Sequence, residues 1–328
     1  MDHQLLRLGI IGTGRIARRF VKECRFVEGI EITVVYNPHS GSAARFAEDA
    51  REGMEDDSWR PRPYDTMDDI WELVDAVYIA TPHETHYEYI TEALKNGKHV
   101  LCEKPMCLSL EEAVSAMDMA RAKNLVLMEA IKTSYCPGFY ELLRVLENGT
   151  IGQVRYVDAC FTKLVDPCGR ELTDRKYGGS FPELGSYVML PMLMILGSDY
   201  HAFRFESIKN ALGLDIFTKA DFRYRDALAT LTCGLGVKSE GRLLIAGETG
   251  YIVAEAPWWK LSHFEAHFED TSRVVSRDCV FEADGLRYEL SHFVDRVQGK
   301  KEKGRTEDCS IVMADIMGKF LRQRNAVL

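Results

Sequence analysis

The chain has 328 residues, 46% of them hydrophobic, 28% charged and 10% aromatic. That composition is globular, its length favours two domains, and its apolar content excludes disorder. Asp and Glu outnumber Lys and Arg by 50 to 41, and the net charge of −9 argues against a nucleic-acid partner, which calls for a basic surface.

The first 130 residues alternate short apolar runs with helical patterns, the mark of a parallel α/β sheet. Residues 5–11 (LLRLGII) read as a buried strand. Residues 15–24 follow as a helix with Ile16, Ala17, Phe20 and Val21 on one face. Strand 30–36 (IEITVVY) and helix 41–50 come next, and residues 51–63 (REGMEDDSWRPRP) break the rhythm as a long surface loop. A strand at 76–80, a helix at 84–96 and a strand at 99–102 follow. Ser109 opens another helix, with Glu112 placed to close a capping box, and residues 125–130 (LVLMEA) form the last strand of this half. Beyond it, residues 153–161 (QVRYVDACF) alternate as a half-buried strand. Further strands are expected near 201–212, 214–224, 227–236, 241–247 and 262–281 with no helices between them, which implies antiparallel pairing and one sheet face free for a partner. Helices are read at 182–196, 286–298 and 306–324. The expected architecture is an N-terminal Rossmann domain over 1–128, a doubly wound parallel sheet, followed by an α+β domain over 129–328 with an open, mostly antiparallel sheet.

The longest charge-free apolar stretch, residues 184–198, contains Gly185, Ser186 and Pro191 and falls short of the ~20 residues of a membrane span. No membrane partner is expected, and the start MDHQLLRLGI carries no secretory pattern. Nine cysteines occur without a CxxC, several in apolar runs. They read as buried free thiols in a reducing cytoplasm, with no metal site.

Gly12-Thr13-Gly14-Arg15-Ile16-Ala17 matches G-x-G-x-x-G/A between a strand and a helix. Gly12 permits the tight turn, Gly14 lets backbone approach a pyrophosphate, and Ala17 lets helix and strand pack closely. The helix N–H groups then face the anion, so Gly12, Gly14, Arg15 and Ile16 are assigned to a dinucleotide. The ribose-gripping segment about 20 residues on is Tyr36-Asn37-Pro38-His39-Ser40, with no carboxylate. A carboxylate there would favour NAD. Asn37, His39 and Ser40 can instead donate to a 2′-phosphate, so the cofactor is NADP or NAD with a lean to NADP. His39 reads equally well as a turn residue.

Two segments point to chemistry. Glu103-Lys104-Pro105 directly follows a strand, and Pro105 biases Lys104 toward extended backbone. A lysine at the carboxyl end of a parallel sheet points into the crevice where ligands bind. In Gly178-Gly179-Ser180-Phe181-Pro182-Glu183-Leu184-Gly185-Ser186-Tyr187, Pro182 suits a first helical turn. Glu183 and Tyr187 then project from one helix face, and Gly185 admits close approach of a ring. A phenol opposite a lysine is a proton-transfer set. Bringing a phenol from about 10 to neutrality requires about 4 kcal/mol, and one ammonium at about 4 Å supplies about 4 kcal/mol at an effective dielectric of about 20. Glu183 is left to orient the tyrosine or the substrate, or to sit near the lysine.

Together with ATPHETH at 80–86, GKHVLCEKP at 97–105 and MEAI at 128–131, these motifs resemble the Gfo/Idh/MocA family of NAD(P)-dependent oxidoreductases over essentially the whole chain. The likeness is greatest to the dimeric dihydrodiol dehydrogenase branch, with glucose-fructose oxidoreductase also carrying the tyrosine. The resemblance implies that Lys104 is the catalytic lysine and Tyr187 the general acid or base. It implies that Thr81, Pro82 and His86 line the nicotinamide side with Glu103 and Lys104, although His86 also reads as a locally satisfied helix-start residue. A homodimer or homotetramer through the C-terminal sheet is implied as well. Most of the family has Asp and His where this chain has Glu183 and Tyr187, and an arginine near Ser134 whose charge Lys132 replaces unless the substrate differs.

The expected activity is hydride transfer between nicotinamide and a carbinol or carbonyl carbon of a small-molecule sugar, polyol or diol. The alternative is a non-catalytic NAD(P)-binding regulator on the same fold. Arg170, Arg175 and Lys176 read as a solvated loop more readily than as an anion site. Trp258-Trp259 either stack on a sugar ring or pack under the sheet.

Overall fold

The computed structural model describes residues 5–39, 41–51 and 61–325. Ser40 and most of the expected loop 51–63 lie outside the described residues. The chain divides into two compact units, Met1–Ala130 with Asp284–Glu307, and Ile131–Ala283 with Asp308–Leu328.

The first unit is built on β1 (Leu6–Ile11), β2 (Ile30–Tyr36), β3 (Arg62–Tyr64), β4 (Ala76–Ile79), β5 (His99–Glu103) and β6 (Leu127–Ala130), with α1 (Arg15–Cys24), α2 (Ser42–Arg51), α3 (His86–Lys95) and α4 (Leu110–Ala122) between them. All strand pairs are parallel, in the order β3-β2-β1-β4-β5-β6. Strands β4 and β6 are buried at every position, which is why their sequences are continuous apolar runs rather than alternating ones. The order reverses at β1, between β2 and β4, so the crevice for a ligand opens at the carboxyl ends of these strands. The short edge strand β3 begins within the stretch 51–63 read from sequence as loop. Helix α4 begins as expected: Ser109 Oγ accepts from the Glu112 N–H at 3.2 Å. The reciprocal bond is displaced by one residue, with Glu112 Oε2 accepting from Leu108 N–H at 3.0 Å.

The second unit carries α5 (Pro137–Glu147), β7 (Val154–Thr162), α6 (Arg170–Thr173), α7 (Ser180–Leu196), β8 (Ala202–Lys209), β9 (Asp215–Arg223), β10 (Leu228–Gly234), β11 (Leu243–Gly247), β12 (Gly250–Ala254), β13 (His263–Phe268) and β14 (Val274–Asp278). Its eight strands run β14-β13-β12-β11-β7-β10-β9-β8. The sheet is open and mostly antiparallel, as expected, with one departure: β10 pairs with β7 in parallel. The long connection through α7 and the β8–β9 hairpin returns β10 beside β7, which a rule of sequential pairing cannot anticipate. Along the row Phe205, Ala220, Leu231, Ala159, Leu243 and Ala254, large and small residues alternate from strand to strand, and all are buried. The adjacent row on the other face, Arg204, Asp221, Thr230 and Asp158, is polar.

Helices α8 (Leu286–Val297) and α9 (Arg305–Asn325) close the chain. The sequence reading places all of 129–328 in one domain, whereas segment 284–307 groups with the first unit. Its attachment is ionic and apolar: Arg287 Nε meets Glu23 Oε2 of α1 at 2.9 Å, Arg19 Nη2 meets Asp284 Oδ1 at 2.6 Å, and Leu286, Leu290, Phe293 and Val294 are buried. Among the described residues no helix is long and apolar enough to cross a membrane. Replacing Ser109 by alanine removes the α4 cap and is expected to lower stability by about 1 kcal/mol, read as a reduced urea midpoint at unchanged m-value.

Candidate active site

The turn after β1 is shaped by exclusion. Gly12 adopts φ +101°, and a Cβ there would lie 2.5 Å from the Ala80 carbonyl oxygen, so no other residue fits. Gly14 is the extended N-cap of α1, with no side-chain cap and no acidic residue in the first helical turn. Nothing lies within 4 Å of the position a Gly14 Cβ would take. The helix therefore presents uncapped N–H groups to open space beside Arg15, which is exposed, and Ile16, which is half-buried. This is the cradle an anionic pyrophosphate requires. Ala17 is fully buried, where helix meets sheet.

Asn37, read from sequence as a ribose or phosphate ligand, is structural as well. Its Nδ2 donates to Thr13 Oγ1 at 2.8 Å and its Oδ1 accepts from the His39 N–H at 2.9 Å, which staples the glycine turn to the end of β2. His39 is exposed. The segment contains no carboxylate.

Lys104 stands half-exposed at the end of β5, in a segment held by buried side chains on three strands and a helix. Glu103 Oε1 accepts from the Tyr78 hydroxyl of β4 at 2.6 Å. His86 of α3 is fully buried, with Nδ1 2.8 Å from the Pro105 carbonyl oxygen and Nε2 3.0 Å from that of Thr81. Glu129 Oε1 of β6 accepts from Met106 N–H at 2.9 Å. Burial pushes the His86 imidazole below its ordinary pKa, against the pull of the two carbonyls. A neutral ring donates to only one of them. His86 thus joins the Thr81 loop to the Lys104 segment rather than presenting an atom to a ligand. Thr81 is half-buried and Pro82 exposed, at the same strand edge. Burial, and then the charge of Glu103, push the Tyr78 phenol well above its ordinary value, so it remains a donor. Tyr78 and Glu129 were missed in the sequence. Their only signal is a polar group inside the apolar strands AVYI and LMEA.

In the second unit, α7 is buried at every position from 180 to 194 except Glu183 and Tyr187. Both residues occupy one half-exposed window, one turn apart. Tyr187 meets Phe161 edge-on at 5.3 Å and 67°, and Phe161 stacks on Trp259 at 3.6 Å and 9°. The ring that approaches Gly185 is that of Phe181, 3.3 Å from where a Cβ would stand. Trp258 packs rather than stacks on a ligand: it is fully buried, and its indole N–H donates to the Cys160 carbonyl at 2.9 Å. Lys132 is buried with Thr133 and Ser134 in a 3-10 turn that the Thr133 hydroxyl ties to the Trp259 carbonyl at 2.8 Å. Arg170 pairs with Asp174 at 3.1 Å, Lys176 lies over the Tyr177 ring, and Arg175 is exposed.

Residues 6–131 match the oxidoreductase family with an NAD-binding Rossmann fold that bears the Gfo/Idh/MocA name. By that match the first unit carries a Rossmann domain of the Gfo/Idh/MocA oxidoreductase type. It is 28% identical to the trans-1,2-dihydrobenzene-1,2-diol dehydrogenase of Danio rerio over 332 aligned positions, covering 98% of each chain. It is 30% identical over 211 positions to the NADP(+)-dependent scyllo-inositol 2-dehydrogenase IolU of Bacillus subtilis, covering 59% of each. The fold matches that of KijD10, a 3-ketoreductase of Actinomadura kijaniata solved with NADP and TDP-benzene, with a TM-score of 0.80, 23% identity and 96% of each chain covered.

The two glycines of the family's dinucleotide turn separate fold from binding. Gly12→Ala is expected to lower both thermal stability and NADP(H) affinity. Gly14→Ala, in ordinary backbone with open space above it, is expected to keep the melting temperature within about 2 °C. It should nevertheless weaken NADP(H) about tenfold by obstructing the anion, an effect of about 1.4 kcal/mol. Fluorescence titration alongside a melt checks both.

Proposed function

We propose that this oxidoreductase interconverts a secondary carbinol and its ketone on a cyclic diol or polyol, with NADP as the preferred cofactor. The observation that carries the reading is the α7 window, in which the only non-buried groups between residues 180 and 194 are a carboxylate and a phenol, backed by the stacked Phe161–Trp259 pair. An aromatic wall beside a proton donor suits the apolar face of a six-membered ring whose hydroxyls lie toward the acid and phenol. The names of two relatives, for a dihydrobenzene diol and an inositol, describe vicinal hydroxyls on such a ring.

In this reading the bound nicotinamide supplies or takes the hydride. Tyr187 Oη gives or takes the proton of the substrate oxygen, and Lys104 Nζ holds that oxygen and favours the phenolate. Glu183, one turn before Tyr187, orients the neighbouring hydroxyl. Gly12, Gly14, Arg15 and Ile16 hold the pyrophosphate, while Thr81, Pro82, Glu103 and Lys104 form the nicotinamide side with His86 behind them. The lean to NADP rests on the missing carboxylate at the end of β2 and on the exposed Arg15 and His39. The free cysteines, seven of them buried, suit a reducing cytoplasm.

Assembly into a homodimer through the outer face of the second unit's sheet fits a row in which Leu228 and Tyr251 are 53% and 42% exposed on either side of Tyr156 and Ala246. Leu228→Glu is expected to shift the molecular mass measured by light scattering to that of a single chain. An unchanged oligomer would remove this face from consideration.

Lys104→Ala and Tyr187→Phe are each expected to lower kcat by 10²–10⁴, the span of a lost acid–base group, with NADP(H) affinity changed less than about threefold. Full turnover by either variant on the best substrate from a screen of trans-diols, inositols and sugars, run with both cofactors, would refute the assignment. Cofactor binding with no turnover on any of them would favour a dinucleotide sensor.

A further inference from the structure

Helix α7 begins without a cap of its own, because Gly179 occupies the N-cap position and offers no side chain. Helix-start N–H groups in a buried setting need acceptors, and here one comes from a distant strand. Asp215, the first residue of β9, is fully buried. Its Oδ2 accepts from the Phe181 N–H at 2.8 Å and from the Thr218 hydroxyl at 3.0 Å. The Ser180 hydroxyl donates to the Asp215 carbonyl at 3.0 Å and accepts from Leu235 N–H at 2.9 Å.

The charge of Asp215 is met from the end of the chain. Arg324, in the last turn of α9, has a side chain only 1% exposed and lies 3.5 Å from Asp215 Oδ1. Its guanidinium also donates to the Gly178 carbonyl through Nη1 and to the Lys176 carbonyl at 2.6 Å through Nη2. One planar fork therefore holds both the carboxylate and the strand of chain leading into α7, which a lysine cannot do. Gly179 follows from this packing, and Gly178 from the backbone carbonyls of the preceding turn. At φ +121°, a Gly179 Cβ would collide with Asp215 Oδ1 and come 3.0 Å from Arg324 Nη1, while a Gly178 Cβ would come 2.7 Å from the Asp174 carbonyl. Burial pushes the Asp215 carboxyl up to about 6, and the Phe181 N–H and the guanidinium act against that rise.

The same turn of α7 is gripped by α9 through apolar contacts. Phe181 meets Phe320 at 4.6 Å and Phe205 at 5.3 Å, and Met317 stands 3.4 Å from the Cβ position of Gly185. Met317, Phe320 and Arg324 recur at helical spacing, so one stripe of α9 lies along the first two turns of α7. Glu183 and Tyr187 occupy the half-exposed side of those same turns.

We infer that the Asp215–Arg324 pair is a positioning device for the proposed reaction, through which the last helix of the chain fixes where the Tyr187 phenol stands. The inference rests on the reading of Tyr187 as the proton-transfer group. Phe181 is six residues from Tyr187 in one stiff, apolar helix, so a slip of its first turn carries the phenol with it. A displacement of about 1 Å at a reacting group costs up to about 10²-fold in rate.

The test compares Arg324→Gln, Arg324→Lys, Asp215→Asn and Tyr187→Phe, assayed well below each melting temperature for kcat, diol KM and NADP(H) affinity. Arg324→Gln is expected to lower kcat at least tenfold while NADP(H) affinity stays within about twofold. Arg324→Lys should recover part of the loss by keeping the charge. Asp215→Asn, which still offers an oxygen to the Phe181 N–H, should lose several-fold and decides the matter by the same criterion if Arg324→Gln does not fold. Wild-type kcat in the folded variant, with Tyr187→Phe inactive, overturns the positioning role. An active Tyr187→Phe overturns instead the reading on which it rests.

Discussion

Hydrogen bonds from buried side chains to the residues on either side of Lys104 are the constraint on which the first unit's site depends. Tyr78 holds Glu103, His86 holds Pro105, and Glu129 holds Met106, so four consecutive residues are fixed from β4, α3 and β6. Each of these groups is removed from water, and an unmade hydrogen bond there costs about 1–3 kcal/mol. The segment therefore has little freedom to relax, while the ammonium on Lys104 remains half-exposed. Such a lysine is placed by the bonds its neighbours make, not by its own long and flexible stem. The second ring nitrogen of His86 lies 3.0 Å from the Thr81 carbonyl oxygen, so the imidazole sits between two strand-end loops and, when neutral, donates to one of them.

In the second unit the same problem is solved with a helix. Helix α7 is apolar nearly all round because it is covered nearly all round, by the sheet strands β7, β9 and β10 and by Met317 and Phe320 of α9. A helix of that kind ordinarily has no polar side chain to spare. Ser180 and Ser186 are buried with the apolar residues, so Glu183 and Tyr187, at i and i+4, are conspicuous and mark the side left open.

That contrast was legible in the sequence, and so was much of the first unit. The limits of α1 and β2 coincide with those read from periodicity, because a buried strand, a glycine turn and an amphipathic helix are all local patterns. What escaped depends on partners far along the chain. The pattern of Leu286, Leu290, Phe293 and Val294 shows that α8 has an apolar face, but not that Arg287 seeks Glu23 some 260 residues earlier. Strand β12 is five residues set between turns, too short for alternation to register. Helix α5 carries a helical pattern in Phe139, Leu142 and Val145, yet it follows closely on the expected domain boundary and was not among the helices read from the sequence. Gly178 and Gly179 were noticed as a motif, but the cause at Gly179, the Asp215–Arg324 pair pressing on it, involves residues 36 and 145 positions downstream. Asn37 illustrates the converse: the position was identified, and its bonds to Thr13 and His39 give it a local task that no pattern announces.

Two phenols in this chain show why environment, and not residue type, decides which tyrosine can exchange a proton. An imidazole, ordinarily near 6.5, titrates around neutrality unaided, whereas a phenol near 10 does not. Putting tyrosine where most of the family has histidine therefore transfers the work of tuning to the surroundings. Tyr78 shows one extreme. It is wholly buried and bonded to a carboxylate, both of which disfavour the phenolate, and its pKa is driven well above the ordinary value. It therefore stands as a donor to Glu103. A phenol meant to cycle between its two states needs the opposite: incomplete burial, so that desolvation is small, and a cation rather than a carboxylate as its electrostatic partner. Tyr187 meets the first condition by standing half-exposed on an otherwise buried helix, with the Phe161 ring packed against it in a T-shaped contact. The second condition is what the proposed role of Lys104 supplies. Because desolvation subtracts directly from what one ammonium can provide, the openness of the α7 window is consistent with the proposed role.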